Sequence, residues 1–174
     1  SVKNLKKIIK NKKFFFKKVD FPDKKYFINL FKKIDVVIHL AAISDIVPSI
    51  NQPNEYLDVN FNGTLNILEN MRKNKVKKII FAASSSCYGL AKKFPTKESD
   101  KIDLQYPYAF SKYFSEKIIE HWSRVYNLNY ISLRLFNVYG LRSRTSGAYG
   151  AVFGVFLSQK ISNMPLTVVG DGNQ

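Results

Sequence analysis

"KKIIFAASSSCYG", residues 77–89, runs a continuous apolar stretch straight into a serine-rich turn. Residues 77–84 have the length of a strand. Their unbroken hydrophobicity, without alternation, predicts a strand covered on both faces. Three further runs read the same way: "FFFKKVDF" (14–21), "DVVIHLAA" (35–42) and "NYISLRLFN" (129–137). Between them lie stretches of helical period at 23–33, 53–73 and 108–126. The middle one opens on Pro53 and sets Tyr56, Val59, Leu65, Leu68 and Met71 near helical spacing. Strand–helix–strand alternation implies parallel pairing through crossovers, hence an α/β fold with a doubly wound parallel sheet. After Asn137 the rhythm changes to glycines and small polar residues. A loop is predicted there, then a helix near 151–163 and a short strand "LTVV" (166–169). Residues 141–174 thus read as the start of a smaller second unit beside 1–140.

The 174 residues are 45% hydrophobic and 14% aromatic, enough for one domain with a real core, or for most of one domain and part of another. No run approaches the roughly 20 apolar residues of a membrane span, and residues 1–13 have no signal-peptide pattern. A single cysteine, Cys87, excludes an internal disulfide framework and suits a reducing compartment, so a cytoplasmic location is expected. The net charge of +15 comes from 28 basic and 13 acidic residues. Only five of the basic residues are arginines, at 72, 124, 134, 142 and 144. A basic patch is the footprint of nucleic-acid binding. A lysine-loaded solvated surface explains this charge as well, and neither zinc-finger spacing nor an arginine-rich helix accompanies it. No nucleic-acid partner is expected; the charge suits an anionic small substrate. No histidine–cysteine–carboxylate cluster suggests a metal site. Cys87, His39, His121 and Trp122 read as structural or packing residues.

Open α/β sheets bind ligands at the carboxyl ends of their strands, which singles out Asp20, "HLAA", Ser84–Ser86 and Asn137. Tyr108 and Lys112 stand four apart on a predicted helix and therefore share a face. An isolated phenol titrates at about 10, and a nearby ammonium favours the phenolate. A tyrosine tuned in this way takes a proton from an alcohol or returns it to a carbonyl. An amphipathic helix with a surface lysine would give the same spacing. Hydroxyls at a strand end hydrogen-bond a substrate oxygen, or merely satisfy the turning backbone. The small side chains of "HLAA" let a flat cofactor approach the backbone, or simply pack.

Taken together, "VDF" (19–21), "HLAA" (39–42), "NFNGT" (60–64), "ASSSCYG" (83–89), "YPYAFSK" (106–112), "LRLFNVYG" (133–140) and "VVGDG" (168–172) resemble the extended short-chain dehydrogenase/reductase family. Within it the chain is most similar to nucleotide-sugar 4-epimerases acting on UDP-hexoses. The resemblance implies a Rossmann-type NAD-binding fold, residues 1–140 being part of the NAD-binding domain and 141–174 the start of the substrate-binding region. It implies Tyr108, Lys112 and Ser84 as the catalytic group, all three also touching the cofactor. It places Asp20 and Phe21 beside the adenine, Leu40, Ala41, Ala42, Ile43 and Ser44 along the cofactor, Asn60 at a further cofactor contact, and Phe136 near the nicotinamide. For the nucleotide-sugar it implies Ser84, Ser85, Tyr108, Asn137, Ala151, Val152 and the strand Thr167, Val168, Val169. Ser85 and Ser86 stand where family dehydratases carry Asp-Glu and decarboxylases a glutamate, which favours epimerisation. A reductase, dehydratase or decarboxylase of the same family, or a noncatalytic dinucleotide-binding protein, are the alternatives. The family's Gly-x-x-Gly-x-x-Gly loop is missing from residues 1–174, and with it the determinant of NAD against NADP. A fragment lacking the first strands and much of the cap is therefore expected, and a homodimer through the helices near 53–73 and 108–126 is implied.

Overall fold

A computed structural model of the chain describes residues 2–19, 29–91, 93–141, 152–168 and 171. Its centre is a three-stranded parallel sheet in the order β1 (Val37–His39), β2 (Lys78–Ala82), β3 (Asn129–Leu133). Val37, Ile38 and His39 pair with Ile79, Ile80 and Phe81. Lys78 to Ala82 pair in turn with Asn129 to Leu133. The crossover from β1 to β2 carries α1 (Ile46–Asn51), α2 (Pro53–Tyr56) and α3 (Gly63–Lys73); that from β2 to β3 carries α4 (Pro107–Tyr126). The parallel α/β architecture read from the alternation is thus present.

The core lies between one face of this sheet and α3 with α4. Side chains alternate along a strand, so Ile79 and Phe81 share a face, and both are fully buried against Ile67, Leu68, Met71 and Ile119. Burying each large apolar side chain contributes about 1.5–3 kcal/mol. The other face carries Ile38 and Ile131, which are 63% and 56% exposed. Among the described residues only one side of the sheet is covered, whereas the continuous apolar runs predicted cover on both.

α4 forms where the sequence says it should. Tyr106 is extended, as a residue before proline prefers, and Pro107 takes the first helical position, where its missing N–H costs nothing. Asn127 ends the helix in the left-handed region at φ 52°, leaving the Leu128 N–H to bond the Ser123 carbonyl at 3.2 Å. The Lys77 ammonium donates to the Tyr126 carbonyl at 2.7 Å, a cation at the negative end of the helix.

Two strand readings are corrected. Residues 14–19 are not a strand: they have no ladder partner among the described residues, and Phe15 is 91% exposed. The helix predicted at 23–33 lies largely outside the described residues, and 29–33 are turns. Leu166 to Val168 also have no ladder partner among the described residues; Thr167 bonds to Gln159 of α5 (Val152–Ile161), through its N–H at 3.2 Å and its hydroxyl at 2.5 Å. His121, expected to pack, is exposed but meets the Trp122 ring edge-on at 5.8 Å, and Trp122 leans on the core.

Candidate active site

The carboxyl ends of the three strands gather most of the expected residues. Beyond β2 the chain turns through a 3-10 helix, Ser85–Tyr88, capped by Ser84. The Ser84 hydroxyl accepts the Ser86 N–H at 3.2 Å and lies 2.8 Å from the Ser86 hydroxyl. The Ser85 N–H donates to the Leu135 carbonyl at 3.0 Å, tying this turn to the segment after β3. Gly89 leaves the turn at φ +61°, and a Cβ there would lie 2.7 Å from the Asp103 carbonyl oxygen, so both conformation and space demand glycine. Cys87 is buried, and burial pushes its thiol up, which leaves it inert.

Tyr108 and Lys112 occupy the first turns of α4. Tyr108 is half-buried, its ring meeting that of Tyr56 edge-on at 6.3 Å. Its hydroxyl bonds no other described residue. Lys112 is 4% exposed, and its ammonium lies 4.3 Å from the centroid of the Phe81 ring at the end of β2. Among the described residues nothing accepts its hydrogen bonds, and burial brings its pKa down to about 8. Holding a charged group in so buried a residue is costly to a fold.

Asn60 ties the site together, though the resemblance placed it only as a cofactor contact. It is 2% exposed within a π-helical stretch, Leu57–Asn62, in the middle of the helix predicted as continuous. Its side-chain oxygen accepts the Ile43 N–H at 2.8 Å. Its amide donates to the Ile43 carbonyl at 3.1 Å and to the Ser111 hydroxyl at 2.9 Å. Ser111 passes its own proton to the Tyr108 carbonyl at 2.8 Å. The loop after β1 and the helix bearing Tyr108 are thereby fixed to one side chain. The Asn60 carbonyl receives the Thr64 hydroxyl at 2.6 Å and has the Ser115 hydroxyl at 3.0 Å. The wider turn of a π-bulge leaves such a carbonyl open, and these bulges recur at functional sites.

With the Thr64 proton committed to Asn60, the His39 Nε2, 2.8 Å from the Thr64 oxygen, must be the donor. Burial, and then the Lys112 charge, hold His39 down to about 3, so the ring stays neutral in the folded state. Its ordinary value of 6.5 applies once unfolded. A depressed folded pKa means the unfolded chain binds the extra proton, so stability is lost as pH falls from 6.5 towards 3. Denaturant titrations at pH 7 and pH 5 are expected to differ by about 2 kcal/mol from this residue. The difference shrinks in His39→Gln; an equal acid loss in that variant would remove His39 as the cause.

Leu40, Ala41, Ala42 and Ser44 line the exposed loop after β1, with Ile43 half-buried. Phe136 and Asn137 are exposed just beyond β3. Val152 opens α5, and Tyr139 meets Phe153 of that helix at 5.0 Å between ring centroids. No described contact brings Val152, Thr167 or Val168 to Ser84 or Tyr108. Asp20, Phe21, Ala151 and Val169 lie outside the described residues. Sequence reading missed the contacts of Arg134, which reaches from β3's end into the serine turn, and no motif flagged them.

Comparison with known proteins gives the family. A family model described as the NAD dependent epimerase/dehydratase family matches residues 2–174. A putative UDP-glucose 4-epimerase of Methanocaldococcus jannaschii is 40% identical over 145 residues, 83% of this chain and 47% of that protein. The crystal structure of a Thermotoga maritima UDP-glucose 4-epimerase with UDP-glucose superposes at TM-score 0.85 and 32% identity, covering 93% of this chain and 53% of that one. A UDP-glucuronic acid 4-epimerase from Bacillus cereus in complex with NAD reaches 0.86 at 29% identity, covering 99% and 54%. The chain spans about half the length of these relatives.

Proposed function

The chain belongs to the NAD dependent epimerase/dehydratase family, and from that premise we propose that it carries the catalytic half of a UDP-hexose 4-epimerase. One observation carries this reading: Lys112, 4% exposed as a residue and with no hydrogen-bond acceptor among the described residues, sets its ammonium against the Phe81 ring at the carboxyl end of β2, one helical turn from Tyr108. The fit to NAD rests on the same group. Its three N–H donors suit the hydroxyls of a ribose, and in the loop 40–44 the small side chains of Ala41, Ala42 and Ser44 are exposed, a surface along which a flat ring system can lie. Phe136, exposed just beyond β3, is proposed for the nicotinamide side. When bound, NAD takes a hydride from the sugar and gives it back.

The chain's own residues do the rest. Tyr108, as phenolate, takes the proton of the sugar C4 hydroxyl, with Ser84 hydrogen-bonded between them. Lys112 supports the negative phenolate and orients the cofactor. The 4-keto sugar turns over about its diphosphate link, and Tyr108 returns the proton once the other face is reduced. Asn60 acts by holding loop and helix in register. Ser85, Asn137, Ala151, Val152, Thr167, Val168 and Val169 are proposed for the nucleotide-sugar, and Asp20 and Phe21 for the adenine. In this reading residues 1–140 are part of the NAD-binding domain and 141–174 begin the substrate-binding region. Phe110 and Phe114 on α4 stack at 4.1 Å and are 41% and 40% exposed, which supports a homodimer through that helix. No helix among the described residues is long and apolar enough to cross a membrane.

Incubating the protein from its complete coding sequence with UDP-glucose and NAD tests the proposal. UDP-galactose is expected, without net accumulation of NADH. Stoichiometric NADH would make the enzyme a one-way dehydrogenase instead.

A further inference from the structure

We propose that Arg134 is a positioning residue that clamps the serine turn against α4; the inference rests on the epimerase reading above. Its guanidinium donates to the Glu116 carboxylate twice, from Nε at 3.0 Å and Nη2 at 2.7 Å. Nη1 donates to the Tyr88 hydroxyl at 2.8 Å and to the Glu98 carbonyl at 3.2 Å. The guanidinium carbon also lies 5.2 Å from the centroid of the Tyr88 ring. Glu116 sits on α4 one turn beyond Lys112, and Tyr88 closes the turn that Ser84 caps. Glu98 belongs to the excursion that folds back over that turn, where the Asp103 N–H meets the Cys87 carbonyl at 2.8 Å. One side chain therefore joins the two elements that carry the hydroxyl at 84 and the phenol at 108.

The geometry is directional. A bidentate fork fixes the plane of the guanidinium, and that plane decides where the third nitrogen points. Side-chain exposures of 17% and 12% for Arg134 and Glu116 keep water from loosening the pair. A pair this buried adds little net stability over an apolar replacement, but removing one partner strands the other charge. Arg134 and Glu116 are thus poor sites for a clean test. Tyr88 is a good one, because Tyr88→Phe removes a single hydroxyl and keeps the ring.

With UDP-glucose and NAD, Tyr88→Phe is expected to lower kcat about tenfold while KM for UDP-glucose stays within about twofold, the signature of a misplaced group rather than lost binding. Because the effect runs through Ser84, adding Tyr88→Phe to Ser84→Ala is expected to cost less than about twofold more. Independent of turnover, hydrogen exchange at the Ser86 and Gly89 amides is expected to quicken in Tyr88→Phe, with Ile119 in α4 unchanged. An unaltered kcat, multiplicative losses in the double variant, or exchange that changes everywhere or nowhere would each overturn the clamp. Failure of the epimerase reading is visible separately, as turnover that survives Tyr108→Phe, and the exchange result stands whichever way that goes.

Discussion

Tyr108→Phe is expected to lose turnover of UDP-glucose by roughly 10²–10⁴-fold, the range a positioned acid–base group contributes, while still binding NAD. The phenol ring stays in place to meet Tyr56 edge-on, so the variant should fold as the parent does. Only the oxygen proposed to exchange a proton with the sugar is gone. Steady-state kinetics with a fluorescence titration of NAD separates the two effects. Near-normal turnover would dismiss Tyr108 as the base. Lost NAD affinity with lost turnover would make it a binding residue.

The second large effect runs in opposite directions for stability and activity. Lys112→Met is expected to abolish turnover and weaken NAD binding, yet to make the protein more resistant to denaturant at pH 7. The ammonium costs the fold because burial lowers its pKa from 10.5 to about 8. The unfolded chain keeps its proton up to 10.5, so the penalty is complete below about pH 8 and fades as pH rises towards 10.5. At pH 7 its removal is worth on the order of 3 kcal/mol, a trade of stability for function. The parent should therefore gain on the variant between pH 8 and 10.5. A variant less stable than the parent at pH 7 would mean that Lys112 holds the fold together, and its assignment to a ligand would fall.

Legibility in the sequence followed the range of the interactions involved. β2 and α4 were readable because their signals are local: an apolar run for Lys78–Ala82, and for α4 a proline at 107 with an asparagine beyond its end. Ser84, Tyr108 and Lys112 were placed by motif, and burial of Lys112 adds what a motif cannot hold. Residues 14–19 misled because three successive phenylalanines carry strand propensity, which acts only where a neighbouring strand is available. The helix Ile46–Asn51 was overlooked although Asp45 stands at its cap position. Six residues with Pro48 inside are too few to display a period, and proline in a first turn breaks nothing. The roles of Asn60 and Arg134 were invisible for another reason. Their bonds span 17 and 51 residues in one case, 18 and 46 in the other, and no local pattern records which side chains a fold will bring together.

The exposed face with Ile38 and Ile131 lies in the same sheet whose strand ends form the site. Site geometry therefore depends on the sheet's register: His39 pairs with Phe81, and Phe81 with Ser132. A one-residue slip would turn Phe81 away from Lys112.

The account turns on hydride leaving C4 of the sugar and coming back to that carbon without meeting solvent. UDP-glucose deuterated at C4, converted in ordinary water by the protein from its complete coding sequence, tests this directly by mass and NMR. Full retention of deuterium at C4 of the UDP-galactose formed is the predicted result. Deuterium washed out into water would contradict it, because C4 would then be losing a proton rather than a hydride.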